Sequence, residues 1–193
     1  FAAAATRTLA ADATLRERRT VVAERSTRMP PPRGLVPPDL TQRTAALETP
    51  RPQRVTVSLP AAPERSIHDA EHLTRLPGRL VRAEGADPVA DVAVNEAYDG
   101  LGATWELYWT AYQRDSLDAK GLPLLASVHF DVNYDNAFWD GAQMVFGDGD
   151  GRYFDGFTSC IDVIGHELTH GFTQYTAGLT YVGQSGALNE SIS

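Results

Sequence analysis

The sequence predicts an α+β fold in which short strands form a sheet against two helices. Four short runs of β-branched or aromatic residues between turn signals predict the strands. These runs are 65–68, 79–82, 126–132 and 142–146. Apolar side chains that recur every three or four positions from Val94 to Tyr112 predict a long amphipathic helix. A second helix at 161–175 carries the pattern H-E-x-x-H.

Composition limits the class of protein. The chain has 193 residues, of which 42% are hydrophobic, enough for a sizeable core. It contains no run of about 18 apolar residues, so we expect no membrane partner.

Charge and proline content divide the chain into segments. Residues 1–65 hold eleven arginines and six acidic residues, a balance of +5, whereas 66–193 hold six basic and nineteen acidic residues, a balance of −13. We therefore expect the basic segment to be held against the acidic domain by charge. Nucleic acid is not an expected partner, because the arginines are not interleaved with aromatic residues.

Within the basic segment, residues 1–28 are predicted to be partly helical, with helical composition at 6–25, and 29–65 form a linker. Leu9, Ala13 and Arg16 are spaced for one helix face, although a solvated or disordered tail is the alternative. Nine of the twelve prolines lie between Met29 and Pro63, which predicts an extended chain. The predicted domain then occupies 66–193.

The long helix is predicted to begin at Asp87-Pro88, with Asp87 as N-cap and Pro88 as the first helical residue. Its stripe includes three tyrosines and two tryptophans, which suggests either a ligand-stacking surface or a buried face. The regular helical spacing favours core packing.

The H-E-x-x-H pattern predicts a metal site. Two residues four apart lie on one helix face, so His166 and His170 can offer imidazole nitrogens to one ion. Glu167 lies one step round the helix, where its carboxylate can act as general base on a water that the metal activates. The alternative is a pair of solvated or core histidines.

Glu190 favours the metal interpretation. Two histidines and a glutamate are a standard set for catalytic zinc, which keeps its fourth position open for water. After the H-E-x-x-H helix, a glycine-rich turn is followed by a further helix, in G-L-T-Y-V-G-Q-S-G-A-L-N-E-S, and this helix can bring Glu190 to the ion.

The single cysteine, Cys160, excludes an internal disulfide. It could be a zinc ligand or a nucleophile, but a full ligand set exists without it, so we expect a small buried residue beside the H-E-x-x-H helix.

These residues resemble the thermolysin-like zinc endopeptidases. The matching motifs are N-A-F-W-D-G-A-Q-M-V-F-G-D-G-D-G (136–151), H-E-L-T-H-G-F-T-Q-Y-T-A-G-L (166–179) and S-G-A-L-N-E-S-I-S (185–193). The upstream S-I-H-D-A and L-P-G-R-L-V-R-x-E-G are more similar to the protealysin-like branch. The resemblance implies a zincin-type N-terminal lobe with a mixed or antiparallel sheet.

The resemblance also implies roles for residues around the zinc. Tyr181 matches a tyrosine that donates to the oxyanion of the tetrahedral intermediate, and Asn189 matches a residue that supports a zinc histidine. Three further positions match residues that hold an extended substrate at a sheet edge: Asn136, Ala137 and Trp139. Phe154 and Val163 match the walls of the pocket after the scissile bond, which implies a bulky apolar residue there.

A calcium site is expected only at Asp162. The G-D-G-D-G segment at 147–151 spaces carboxylates two apart, but it lacks the distal ligands of a common calcium loop. The resemblance places a calcium ligand at Asp162, whose partner carboxylates would lie beyond Ser193.

The family pattern continues past Ser193, so we expect this chain to lack the C-terminal helical domain and to be weakly active or inactive alone. By resemblance, the protein is a secreted zinc endopeptidase and residues 1–28 are the remainder of a propeptide. The alternative is a non-catalytic zinc-binding or inhibitory fragment, against which the intact Glu167 argues.

Overall fold

The computed structural model describes residues 61–193 and, before them, only Leu9, an exposed helical residue. Apart from Leu9, the predicted helical tail lies outside the described residues, and so does the linker before residue 61. The secondary-structure elements are β1 (Arg65–Asp69), β2 (Arg79–Ala83), α1 (Val92–Tyr112), β3 (Leu124–Val128), β4 (Ala137–Trp139), β5 (Met144–Phe146), a 3-10 turn (Phe157–Ser159), α2 (Ile161–Tyr175) and α3 (Gly183–Ile192). No helix among the described residues is long and apolar enough to cross a membrane.

The five strands form one mixed sheet in the order β2-β1-β3-β5-β4. The three central strands run parallel, and each outer strand is antiparallel to its neighbour. The carboxyl ends of β1, β3 and β5 therefore meet along one edge of the sheet. With the helices, this gives the expected α+β fold, and the sheet is mixed.

The long helix begins later than the sequence predicts. Its N-cap is Asp91, whose Oδ1 accepts hydrogen bonds from the backbone N–H groups of Ala93 and Val94. The predicted cap, Asp87, precedes a short loop. Asn95 holds that loop outside the helix, because its side chain both donates to and accepts from the backbone of Val89.

Several strand boundaries differ from the prediction, and one strand was missed. β3 ends at Val128 because His129, Asp131 and Asn133 all have positive φ, a backbone conformation that a strand does not contain. β5 begins only at Met144, after a turn that Asp140 caps. The residues of β4 were absent from the four predicted runs, and β4 is the edge strand containing Trp139 that the resemblance implied.

The apolar stripe of α1 packs into the main core over most of its length. Val94, Leu101 and Trp105 are buried there with residues of β1, β3 and α2. The core interpretation therefore holds for this part of the stripe. Its last member, Tyr112, is 70% exposed and lies outside the core.

Glycines permit close packing around α2. A Cβ at Gly100 would lie 2.3 Å from Ile164 Cδ1, so a larger residue in α1 would push α2 away. A Cβ at Gly171 would lie 3.1 Å from two ring carbons of Trp139 and 2.9 Å from Leu117 Cδ1. The H-E-x-x-H helix is thus fixed between α1 and the edge strand β4.

Candidate metal centre

The two histidines of α2 turn the same ring nitrogen toward each other. His166 Nε2 and His170 Nε2 are 3.1 Å apart, and the ring planes are nearly perpendicular at 88°. Ile164 and Leu168 are buried in the main core on the same helix. Core packing therefore fixes the helix rotation that brings these nitrogens together.

The last helix brings Glu190 to the histidines. Glu190 Oε2 lies 3.2 Å from His166 Nε2, and Glu190 Oε1 lies 3.7 Å from His170 Nε2. Ser185 Oγ donates to the backbone carbonyl of Val182 at the start of α3. The predicted glycine-rich turn and α3 thus bring Glu190, which lies twenty residues after His170 in the chain, to the site.

These separations fit a zinc ion. Bonds of about 2.0–2.1 Å in a tetrahedron require ligand atoms roughly 3.3 Å apart. The Nε2 atoms are 3.1 Å apart, and the two carboxylate oxygens of Glu190 lie 3.2 and 3.7 Å from them, which is around that value. Two nitrogens and one carboxylate oxygen are also the donor set that catalytic zinc takes.

Asn189 fixes the protonation of His170. His170 Nδ1 lies 2.8 Å from Asn189 Oδ1, and because an amide oxygen can only accept, the Nδ1 atom carries the proton. The lone pair is then on Nε2, which faces His166 and Glu190. Ser193 Oγ, which the sequence analysis missed, also lies 3.1 Å from His170 Nδ1.

Glu167 is held by the edge strand. Its Oε2 accepts a hydrogen bond from the backbone N–H of Trp139 over 3.0 Å and lies 3.9 Å from His170 Nε2. Trp139 is fixed in turn by Gln174, whose Oε1 accepts the indole N–H over 3.0 Å. Sequence reasoning missed Gln174, since only the packing of α2 on β4 reveals it.

The site is buried on one side and open on the other. Glu167 and His170 are buried, whereas the side chains of His166 and Glu190 are 36% and 45% exposed. Tyr181 packs its ring edge-on to His170 at 5.6 Å between centroids and lines a small pocket with Trp139 and Leu179. The open side leaves room for water and a ligand.

The expected substrate positions lie near the edge strand and the start of α2. Ala137 is buried in β4, and the carbonyl of Asn136 accepts a hydrogen bond from the N–H of Gly147. Phe154 is 50% exposed and stacks on Phe157 at 5.6 Å between centroids. Val163 is partly buried against the main core.

Cys160 and Asp162 lie at the start of α2. Cys160 is exposed, so the prediction of a buried cysteine was wrong: the residue precedes the first turn of the helix, where its side chain is not covered. Asp162 is exposed in the first turn. Among residues 61–193 it belongs to neither group of three potential ligands, which are His166-Glu167-His170 and His72-His129-Asp148.

Residues 64–174 match the family model described as "Thermolysin metallopeptidase, catalytic domain", which is more than half of the chain. The chain belongs to the thermolysin metallopeptidase family. This confirms the family resemblance, and the matched range includes the H-E-x-x-H pattern at 166–170. Zinc is the metal that membership in this family implies.

Relatives in the thermolysin family support the protealysin-like branch. The chain is 60% identical over 129 residues to "Extracellular metalloprotease" of Pectobacterium carotovorum subsp. carotovorum, covering 67% of this chain and 37% of that protein. It is 57% identical over 128 residues to "Protease PrtS" of Photorhabdus sp. (strain Az29), covering 66% of this chain and 34% of that protein. The chain thus spans little more than a third of these relatives.

A solved structure gives the same result. The precursor of protealysin, a metalloproteinase from Serratia proteamaculans, superposes with a TM-score of 0.67 and is 56% identical. The match covers 72% of this chain and 43% of that one. The fold is therefore that of a thermolysin-like N-terminal lobe.

Proposed function

We propose that this chain is the zinc-binding lobe, residues 66–193, of a secreted endopeptidase. The observation that carries the proposal is the convergence of His166, His170 and Glu190 within zinc-ligand distances, with Glu167 directly beside them. A site that only bound zinc would have no use for that additional carboxylate. Zinc held by the three ligands supplies a Lewis acid that activates water and polarises a peptide carbonyl.

The side chains of the chain then perform the proton transfers. Glu167 takes a proton from the attacking water and passes it to the leaving amine. The hydrogen bond from the Trp139 N–H orients the carboxylate for this role. Tyr181 donates to the oxyanion that develops on the substrate, which is supported by its place beside His170.

The substrate is a peptide in an extended conformation. β4 is the edge strand nearest the H-E-x-x-H helix, and Asn136 and Ala137 stand at its start. A peptide can pair with such an edge through backbone hydrogen bonds. Phe154 and Val163 favour a bulky apolar residue just after the scissile bond, since Phe154 offers an exposed aromatic ring.

The segments before the lobe also have proposed roles. Residues 1–28 act as an intramolecular propeptide and 29–65 as its linker, which the charge balance and the protealysin precursor support. Secretion is supported by the name of the extracellular relative. Asp162 stays a predicted calcium ligand that needs carboxylates from outside the described residues.

Glu167→Gln separates catalysis from zinc binding. We expect His166, His170 and Glu190 to hold one zinc in the 193-residue chain, so Glu167→Gln should leave the zinc stoichiometry of the chain unchanged. In the full-length gene product, we expect chelator-sensitive casein hydrolysis that Glu167→Gln lowers by about 10²–10⁴-fold. The measurements are zinc stoichiometry by mass spectrometry and initial rates of hydrolysis.

Glu190→Gln is the matched control, because it removes a carboxylate from the ligand set instead of the base. It should lower both zinc affinity and hydrolysis. Hydrolysis at an unchanged rate after Glu167→Gln or after chelation would contradict the proposed mechanism. Zinc binding without any hydrolysis by the full-length product would favour the alternative of a non-catalytic zinc-binding or inhibitory protein.

A further inference from the structure

A second group of ligand-type side chains lies at the edge of the sheet where the parallel strands end. His72 follows β1 after a short turn, His129 comes directly after β3, and Asp148 lies two residues after β5. Because β1, β3 and β5 are parallel neighbours, their carboxyl ends bring these residues together. None of the three belongs to the H-E-x-x-H site.

The ligand atoms of this group converge. One ligand atom from each of the three residues lies within 4.8 Å of the other two. Asp148 Oδ2 is 3.0 Å from His129 Nδ1 and 3.4 Å from His72 Nδ1. Ligand atoms on a tetrahedral zinc ion are roughly 3.3 Å apart. The distance to His72 already matches, and the distance to His129 needs to widen by about a third of an ångström.

The backbone holds the two histidines in place. The N–H of His72 donates to the carbonyl of His129 over 2.9 Å, so the two segments are joined directly. Asp148 stands between Gly147 and Gly149, and a Cβ at either glycine would lie within 2.2 Å of a backbone oxygen. The loop that presents Asp148 therefore depends on both glycines.

Asp91 supplies the outer partner that metal-binding histidines have. His129 Nε2 lies 2.9 Å from Asp91 Oδ2, on the side of the ring away from Asp148. Since a carboxylate accepts, Nε2 carries a proton, and Nδ1 is the nitrogen that can bind a metal. A histidine whose other N–H donates to a carboxylate is the usual arrangement at metal sites.

The charge of the group favours a cation. Each ring nitrogen of His129 faces a carboxylate: Nδ1 lies 2.8 Å from Asp148 Oδ1, and Nε2 lies 2.9 Å from Asp91 Oδ2. With a proton on both nitrogens, the metal-free group contains one imidazolium between two carboxylates, an excess of one negative charge. A divalent ion that replaces the Nδ1 proton would make the group neutral.

We propose that His72, His129 and Asp148 form a second metal site, for a divalent ion of the zinc class, with Asp91 as the positioning residue of His129. Two imidazole nitrogens and one carboxylate suit zinc better than calcium, which prefers oxygen ligands. The side chain of His72 is 58% exposed, so water can complete the coordination. The proposal does not depend on the proposed peptidase activity.

Zinc binding to the full 193-residue chain tests this proposal. The background variant is His166→Gln with Cys160→Ser, which impairs the first site and removes the exposed thiol. We expect this background to retain one zinc equivalent in calorimetric titration and equilibrium dialysis. Adding His72→Gln should weaken that binding at least about tenfold, and Asp91→Asn about 10–100-fold. Asparagine caps helices as well as aspartate, so α1 should be preserved.

Glu71→Gln is the matched control, because it removes a carboxylate from the same turn without touching the three ligands. It should leave zinc binding unchanged. Loss of the ¹H–¹⁵N signal of the His129 Nδ1 proton on zinc addition would identify the ligand atom. The proposal is overturned if the background variant binds no zinc, or if His72→Gln and Glu71→Gln bind it equally. In either case His72, His129 and Asp148 form only a hydrogen-bonded cluster without a metal ion.

Discussion

The backbone N–H of Trp139 donates a hydrogen bond to Glu167 Oε2 over 3.0 Å, which joins the edge strand to the residue proposed as general base. The same strand is proposed to hold the substrate. A shift of β4 would therefore move both the substrate and the base. The position of β4 depends in turn on Gln174, which binds the Trp139 indole and donates to the carbonyl of Gly141.

A double-mutant cycle can measure how strongly Gln174 holds the edge strand. We expect Trp139→Phe and Gln174→Leu each to destabilise the fold, because each leaves the other polar group without its hydrogen bond. Their coupling energy in urea unfolding should be about 1 kcal/mol. Strictly additive effects would mean that the hydrogen bond contributes nothing to stability.

Asn189 should affect zinc affinity through His170. Asn189→Ala removes the acceptor that keeps the proton on Nδ1, so the zinc affinity of the first site should fall by about 10–100-fold. Asn189→Asp retains an acceptor oxygen and should retain most of the affinity. Competition with a chromogenic chelator measures both variants, and equal affinities for alanine and aspartate would contradict this role.

Gly171 should tolerate no side chain. Gly171→Ala places a methyl group against the Trp139 ring and Leu117, and this overpacking should cost about 1–3 kcal/mol of unfolding free energy. Gly165→Ala in the same helix is the control, because its Cβ would have only Thr104 Oγ1 nearby, at 3.9 Å. It should stabilise the helix by about 0.5–1 kcal/mol. Thermal and urea unfolding distinguish the two outcomes.

Glu84 should make stability depend on acid pH. The hydrogen bond from Arg65, opposed by burial and joined by one from Tyr98, lowers the pKa of Glu84 to about 2 from 4.5. Because the folded-state pKa is depressed, the stabilisation is complete above pH 4.5 and is lost as pH falls toward 2. After discounting for solvent screening, we expect about 1 kcal/mol at neutral pH.

Urea unfolding of Glu84→Gln and the native chain at several pH values measures this contribution. The difference in unfolding free energy should be largest at neutral pH and should shrink below pH 4.5, where the native carboxylate becomes protonated. A difference that stays constant down to pH 2 would show that the Arg65 pair is not responsible.

Much of the fold followed from local pattern. The α+β class, the helix around H-E-x-x-H and most members of the α1 stripe were predictable, because periodicity is a local property of the chain. The predicted boundaries of helices and strands were wrong where particular side chains or backbone turns determine where an element begins or ends. Asp91 is the N-cap of α1 because Asn95 holds the preceding loop outside the helix. β3 ends at Val128 because residues after it have positive φ. Cys160 was misjudged because its exposure depends on what covers the helix start.

The pair His166 and His170 was predictable from the sequence, since helix geometry places residues four apart on one face wherever the helix lies. The helix that carries Glu190 was predictable in the same way. Three contacts became known from the folded structure: Glu190 lies 3.2 Å from His166, the N–H of Trp139 donates to Glu167, and Asp148 lies beside His72 and His129. These contacts depend on the order of strands in the sheet and on the packing of helices against it, which no local spacing encodes.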